Sequence, residues 1–190
     1  MAIWQWAILI ILGGVFLVGS VYCRQIDLLT RLGQRRVAVK LLCGRIERRP
    51  KDAPSLVKRA RLYYQEGKFR LAADDYNRAL DLGLYKRKEM IYTELGQTYF
   101  AAGNYPLALA ALETAYAARG RFHPTLAWLA IVHYALRDFA EARIWWQSAR
   151  KQYPRYVRLN GANWVRPQPG WLSPPSVEAQ KIVALLNAHL

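Results

Sequence analysis

Three successive segments of the chain repeat one pattern of residue types, and this repetition restricts the possible folds more than any other feature. The segments run from Leu56 to Leu80, from Tyr92 to Tyr116 and from Leu126 to Arg150. Each has a small residue, a ring three positions later, a tight turn and then two alanines; these positions are Ala60, Tyr63, Ala72 and Ala79, then Gly96, Tyr99, Ala108 and Ala115, then Ala130, His133, Ala142 and Ala149. Each segment therefore predicts two short amphipathic helices, and such pairs must stack because none can bury its apolar face alone.

This pattern resembles the tetratricopeptide repeat, whose signature extends over about 34 residues. The Leu-Gly pair three residues before Tyr99 matches the first part of the signature, and Pro154 falls where the third repeat should end. Arg59 departs from it, standing where the family usually has an apolar residue. The resemblance covers residues 53–154 and implies three tetratricopeptide repeats in an all-α fold, an α-α superhelix whose first helices line a concave groove.

The resemblance also implies that the groove binds a protein or peptide partner. The side chains expected to line it are Arg61, Tyr64, Gln97, Phe100, Trp128, Ile131 and Tyr134. Some members of the family hold a partner's terminal carboxylate with a Lys/Asn/Arg clamp, but here only Arg61 is basic at the matching positions, so an apolar or aromatic peptide suits the groove better. The alternative interpretation is that Tyr64, Phe100 and Tyr134 pack between repeats.

An uncharged apolar segment precedes the repeats. Residues 2–23 contain no Asp, Glu, Lys or Arg, and about twenty apolar residues suffice for a helix to cross a bilayer. Trp4 and Trp6 at one end and Tyr22 at the other suit the two membrane–water interfaces. A cleaved secretory signal would begin with a basic region, which is missing here. We therefore predict a transmembrane helix at residues 2–23.

The segment after the predicted span is strongly basic. Residues 24–51 carry nine basic and two acidic side chains, in a chain whose net charge is +15. Because basic flanks stay in the cytoplasm, we expect a single-pass protein of a bacterial inner membrane, with its N-terminus outside and the repeats in the cytoplasm. We expect this block to contact anionic lipid through Arg31, Arg35, Arg36, Lys40, Arg45, Arg48 and Arg49.

The remaining segments complete the predicted domain organisation. Residues 24–52 form a basic juxtamembrane helix and a possible half-repeat, since Ala38 and Leu42 fall on the spacing of a second helix. Residues 155–175 are rich in proline and should be extended. Residues 176–190 regain a helical pattern and are expected to cap the last repeat, because the ends of repeat arrays need covering.

No pattern of catalytic residues stands out. The three histidines are too far apart for a helical metal pair, and no glycine-rich nucleotide-binding motif occurs. We therefore expect neither enzymatic activity nor a cofactor.

The sequence thus predicts a membrane-anchored scaffold or adaptor that binds partner proteins and localises or assembles a complex at the membrane. An integral accessory subunit of a larger membrane complex is the first alternative, and periplasmic repeats or an organelle outer membrane also stay open. Nucleic-acid binding is a more distant alternative, suggested by a second block at residues 119–166 with nine basic and two acidic residues among tryptophans. We expect Trp146, at a packing position of the third repeat, to be buried and unable to stack on bases.

Overall fold

The computed structural model of the protein describes residues 25–83, 87–118, 123–152 and 177–188, and the regular structure in these ranges is entirely α-helical. The chain divides into two compact units, Met1–Arg49 and Pro50–Leu190.

The described part of the first unit is a helix–turn–helix. Helix α1 covers residues 25–31 and helix α2 covers Arg35–Arg48. The turn contains Gly33 with φ of 73°, and its amide donates to the carbonyl of Thr30 at 3.1 Å. On α2, three buried residues share one face, because they lie four positions apart; they are Ala38, Leu42 and Ile46.

The described part of the second unit contains three helix pairs and a further helix. Their bounds are Ala53–Gln65 (α3), Phe69–Asp81 (α4), Lys88–Ala101 (α5), Tyr105–Ala118 (α6), His123–Ala135 (α7), Phe139–Gln152 (α8) and Val177–Ala188 (α9). Within each pair the two helices pack together, α4 then packs on α5 and α6 on α7, and the first helices α5 and α7 also touch. This is the stacked arrangement of an all-α solenoid, as the repeat pattern predicted.

The turns inside the three pairs have the same geometry. Gly67 and Gly103 have φ of 73° and 77°, and their amides donate to the carbonyls three positions before. In the third pair Arg137 takes this place with φ of 65°. A residue with a side chain is strained in this left-handed region. The third turn therefore keeps the geometry of the other two at a cost in backbone conformational energy at Arg137.

Short polar side chains fix where several helices begin. The Asp52 carboxylate accepts from the Ser55 amide at 3.3 Å, and Asn104 accepts from the Leu107 amide at 3.3 Å. Such caps satisfy amides that have no partner in the first turn of a helix.

Gly96 allows α5 and α6 to approach closely, which confirms its predicted role as the small residue of the second repeat. A Cβ atom there would lie 2.6 Å from Cγ of Leu112 and 3.2 Å from the Ala108 carbonyl oxygen. Leu112 is fully buried, and so are Tyr76 and Trp146 at the equivalent positions of the other two repeats. The predicted burial of Trp146 is thereby confirmed.

No helix within the described ranges has both the length and the apolar character needed to cross a membrane. The predicted span at residues 2–23 and the predicted proline-rich segment at residues 155–175 lie outside those ranges. Both therefore stay predictions.

The glycine contact gives a stability prediction with an internal control. Gly96→Ala should destabilise the protein by about 1–3 kcal/mol, because the new methyl group overlaps Leu112 in a packed core. At Gly44, also inside a helix, the nearest atom to an added Cβ is 4.0 Å away. There alanine should stabilise by roughly 0.5–1 kcal/mol, since glycine loses more backbone freedom on folding. Chemical denaturation measures the free energy of unfolding of both variants. Equal changes in this free energy would contradict the close contact between Gly96 and Leu112.

Candidate functional site

The structure places the predicted groove residues on the first helices of the three pairs, but it buries most of them. Arg61 and Tyr64 lie on α3, Gln97 and Phe100 on α5, and Trp128, Ile131 and Tyr134 on α7. Five of the seven are at most 5% exposed, while Tyr134 is half-buried and the Arg61 side chain is 38% exposed. The expectation of an open lining is therefore corrected for Tyr64, Gln97, Phe100, Trp128 and Ile131. Their contact with a partner stays a prediction.

The reason for part of this burial is ring packing within each repeat. Tyr64, Phe100 and Tyr134 each pack on the first residue of the following helix; the pairs are Tyr64–Phe69 at 5.5 Å, Phe100–Tyr105 at 5.3 Å and Tyr134–Phe139 at 5.0 Å between ring centroids. The packing between repeats that the sequence left open is found for Phe100, which also contacts the Trp128 ring of the next repeat, whereas the Tyr64–Phe69 and Tyr134–Phe139 contacts lie within one repeat. Burial raises the pKa of Tyr64 to about 12.

An ion pair joins the first helices of the first two repeats. The Arg61 guanidinium donates from Nε and Nη2 to the two carboxylate oxygens of Glu94, at 2.9 and 2.7 Å. The Glu94 side chain is 1% exposed. Beside it, burial and the Glu94 carboxylate raise the pKa of Tyr76 well above its ordinary value. The repeat pattern does not reveal a role for Glu94, because its partner Arg61 belongs to the preceding repeat, 33 positions earlier.

A hydroxyl contact joins the first helices of the last two repeats. The hydroxyl oxygens of Thr93 and Thr125 are 2.8 Å apart, and both side chains are fully buried. Since the Thr93 hydroxyl donates to the Glu89 carbonyl at 2.8 Å, Thr125 is the donor in this contact. Polar links therefore run from α3 to α5 and from α5 to α7.

Arg59, which departs from the repeat signature, has a structural partner. Its guanidinium donates to both oxygens of Asp75 on α4, each at 2.7 Å, and the two side chains are 13% and 4% exposed. The ion pair joins the two helices of the first repeat where the family usually has an apolar contact. His133, which takes the ring position of the third repeat, places Nδ1 3.1 Å from the Asp138 carboxylate in the turn after α7.

Helix α9 packs on α7 in the last repeat. Its buried residues belong to the same apolar cluster as Phe100, Leu112 and Trp128; they are Ala179, Ile182, Val183 and Leu186. The Tyr105 hydroxyl at the start of α6 donates to Glu178 at 2.7 Å. The sequence predicts that residues 176–190 cap the last repeat, but it does not reveal the contact between Tyr105 and Glu178, which are 73 positions apart.

In the first unit, α2 presents a mixed apolar and basic face. A groove of about 440 Å³ lies on it, lined by Val37, Lys40, Leu41, Gly44, Arg45, Arg48 and Arg49. Val37 and Leu41 are 48% and 37% exposed, and they lie about a third of a turn around the helix from its buried face. Four of the seven residues predicted to contact anionic lipid therefore line this groove, and the other three are exposed basic residues; these are Arg31, Arg35 and Arg36.

Within the described ranges, no group of three or more His, Cys, Asp or Glu residues is arranged to hold a metal ion.

The two partners of the ion pair between α3 and α5 should respond differently to substitution. Arg61→Ala leaves the buried Glu94 carboxylate without its counterion and should destabilise by about 2 kcal/mol, less than for a fully buried pair because Arg61 is partly exposed. Glu94→Gln keeps a hydrogen-bond acceptor for Arg61 and should cost about 1 kcal/mol. Urea denaturation at neutral pH measures the difference. A larger loss of stability for Glu94→Gln than for Arg61→Ala would contradict this interpretation of the ion pair.

Comparison with solved structures shows the same fold at low sequence identity. MamA from Desulfovibrio magneticus RS-1, from residue 41 to its end, is 17% identical with a TM-score of 0.66, over 90% of this chain and 91% of that one. YrrB, described as a TPR protein with an unusual peptide-binding site, is 17% identical with a TM-score of 0.62, over 89% and 91%. The first TPR of Spaghetti (RPAP3), bound to the HSP90 peptide SRMEEVD, is 17% identical with a TM-score of 0.53, over 72% and 91%.

No curated protein sequence matches the chain significantly. The family model for the tetratricopeptide repeat matches residues 57–120 and again residues 93–157. These matches together extend over more than half of the 190 residues and coincide with the stacked helix pairs. The chain belongs to the tetratricopeptide-repeat family.

Proposed function

We propose that the protein is a membrane-anchored scaffold that binds partner proteins through its tetratricopeptide repeats and thereby localises or assembles a complex at the membrane. The observation that supports this most strongly is the continuous row of first helices α3, α5 and α7, joined by the Arg61–Glu94 and Thr93–Thr125 contacts. Such a row holds several side chains in fixed relation, as recognition of an extended or helical segment requires.

Proteins of the same fold supply a precedent for peptide binding. YrrB is described as having a peptide-binding site, and the Spaghetti repeat domain is bound to an HSP90 peptide. For this chain we propose a partner segment with apolar or aromatic anchors, because the first helix of the third repeat, α7, carries no Asp, Glu, Lys or Arg. We propose a binding role without catalysis.

The proposed anchor is the uncharged segment at residues 2–23, and the proposed location is a bacterial inner membrane with the repeats in the cytoplasm. The basic block that follows this segment supports the orientation. Tethering would raise the effective concentration of a partner near other membrane proteins.

Anionic lipid is the proposed counterion of the juxtamembrane block. The α2 groove supports this, because exposed Val37 and Leu41 could reach the interface while Lys40, Arg45 and Arg48 remain near phosphate groups.

Nucleic acid is a weaker candidate for the second basic block. Trp146 is fully buried, and half-buried Trp145 packs edge-to-face on Tyr116 at 5.0 Å. Base stacking needs an accessible ring face, which Trp146 does not offer. An integral accessory subunit remains the main alternative to an adaptor, and fixed stoichiometry with a larger complex after detergent extraction would favour it.

Purification from membranes in mild detergent tests the proposed function. The wild-type chain should retain one or more partner proteins, and Tyr134→Glu on the first-helix face of α7 should lose them. Ile144→Glu, at a residue of α8 that is 54% exposed, is the matched control and should retain them. Thermal melting confirms that both variants are folded. If the Tyr134→Glu variant retained its partner proteins and the Ile144→Glu variant lost them, binding would lie on the second helix α8, which contradicts the proposal.

Cysteine labelling in cells that express the protein tests the proposed orientation in the membrane. With Cys23 and Cys43 replaced by serine, a cysteine introduced at Gln168 should react with an impermeant reagent only after permeabilisation. Reaction in intact cells would reverse the assignment.

A further inference from the structure

Helix α9 has the contact pattern of a helix bound in a groove. Its buried residues Ala179, Ile182, Val183 and Leu186 occupy positions i, i+3, i+4 and i+7. This spacing puts all four on one face of the helix, and it is the pattern by which amphipathic helices dock into apolar grooves. The opposite face is exposed, including Lys181, Ala184 and Leu185.

The position of α9 differs from that of a further repeat. In the array, each new first helix packs on the preceding second helix, as α5 does on α4 and α7 on α6. Helix α9 instead packs on the first helix α7, and among the described helices it has no packing on α8 of comparable extent. It therefore does not continue the stack as the first helix of a fourth repeat would.

A chain of contacts connects α9 to the predicted groove residues. The Trp128 ring packs edge-to-face on Phe100 at 5.6 Å, and Phe100 packs on Tyr105 at 5.3 Å. The Tyr105 hydroxyl then donates to Glu178 in the first turn of α9. Helix α9 thus lies against the part of the array where the resemblance to tetratricopeptide repeats puts the groove.

Helix α7 needs such a cover. It contains no Asp, Glu, Lys or Arg, and its central residues from Thr125 to Val132 are all buried. Helices α5, α6 and α8 pack on it as its repeat neighbours, and α9 packs on it as well. Without α9, apolar surface of α7 would be open to water, and an exposed apolar surface of this kind marks an interaction site.

We propose that α9 is an intramolecular ligand of the array, and that the surface it covers on α7 binds a partner's amphipathic helix in its place. The partner helix would carry small or branched apolar residues at i, i+3, i+4 and i+7 and an acidic residue just before them, where Glu178 meets Tyr105. This inference rests on the proposed partner binding, and it makes that binding conditional on the release of α9.

The connection between α8 and α9 makes α9 a tethered competitor for the surface on α7. Residues 153–176 link the two helices in the sequence. A tethered competitor has a high local concentration, so a partner must bind more tightly than α9 does or must itself be concentrated at the membrane.

The test uses the full chain in nanodiscs and, as its probe, a fluorescent peptide of residues 176–190. Wild-type protein should bind the probe weakly, because its own α9 occupies the surface. The double variant Ile182→Glu/Leu186→Glu, in the protein, should bind the probe at least tenfold more tightly. Ala184→Glu on the exposed face of α9 is the matched control and should bind it like wild type. A probe carrying the same two glutamates should bind none of the proteins.

Two further measurements decide the other outcomes. Equal affinity of the wild type and the double variant, or no probe binding by a folded double variant, would show that α9 is a permanent cap and would overturn the proposal. If the double variant does not fold, Glu178→Ala in the protein removes the contact of α9 with Tyr105 while the probe keeps its own Glu178, and this variant should bind the probe about twofold more tightly than wild type. An unchanged affinity would then count against the proposal. Because the probe replaces the natural partner, this result is independent of whether membrane purification yields one.

Discussion

Helix α7 has no Asp, Glu, Lys or Arg and is buried from Thr125 to Val132, so the rest of the second unit must enclose it. Its own partner α8 covers one side, and α5 and α6 of the preceding repeat cover others. The close approach at Gly96 sets how near α6 lies to α5, and thereby where both meet α7. Helix α9 completes the enclosure. The surface that could recognise a partner is therefore the same surface that the fold must keep from water.

Polar contacts determine how the repeats align. An apolar stack tolerates small sliding of one helix on another, whereas a bidentate guanidinium–carboxylate pair does not. Arg61 and Glu94 hold α3 against α5, and the Thr93–Thr125 contact holds α5 against α7. The first repeat adds Arg59–Asp75 between its two helices. Buried ion pairs contribute little net stability, so we interpret these contacts as fixing the register of the array.

The local features of the fold could be predicted from the sequence because each depends on residues close together in the chain. The turn glycines Gly67 and Gly103, the small residue at Gly96 and the buried Trp146 all follow from the repeat period. The first unit has a further turn of this kind at Gly33, one repeat length before Gly67, although the sequence there predicts only a half-repeat.

The positions of the candidate site residues in the fold could be predicted from the sequence, but their burial could not. The residues expected in the groove do lie on the first helices, yet most are buried. The Arg61–Glu94 ion pair joins two different repeats, and the contact of Tyr105 with Glu178 joins the second repeat to the last helix. Local sequence patterns do not predict such contacts. Whether the apolar surface of α7 is open or covered depends on where α9 docks, which is a property of the tertiary structure alone.

The central claim is that a partner binds where α9 now lies, on a membrane-anchored array. Hydrogen exchange of the purified full chain, with and without the partner retained from membranes, tests it most directly. The account predicts that amides of residues 177–188 exchange faster when the partner is bound, while those of residues 125–132 stay protected. Unchanged exchange in α9, with new protection confined to α2 or to α8, would contradict it.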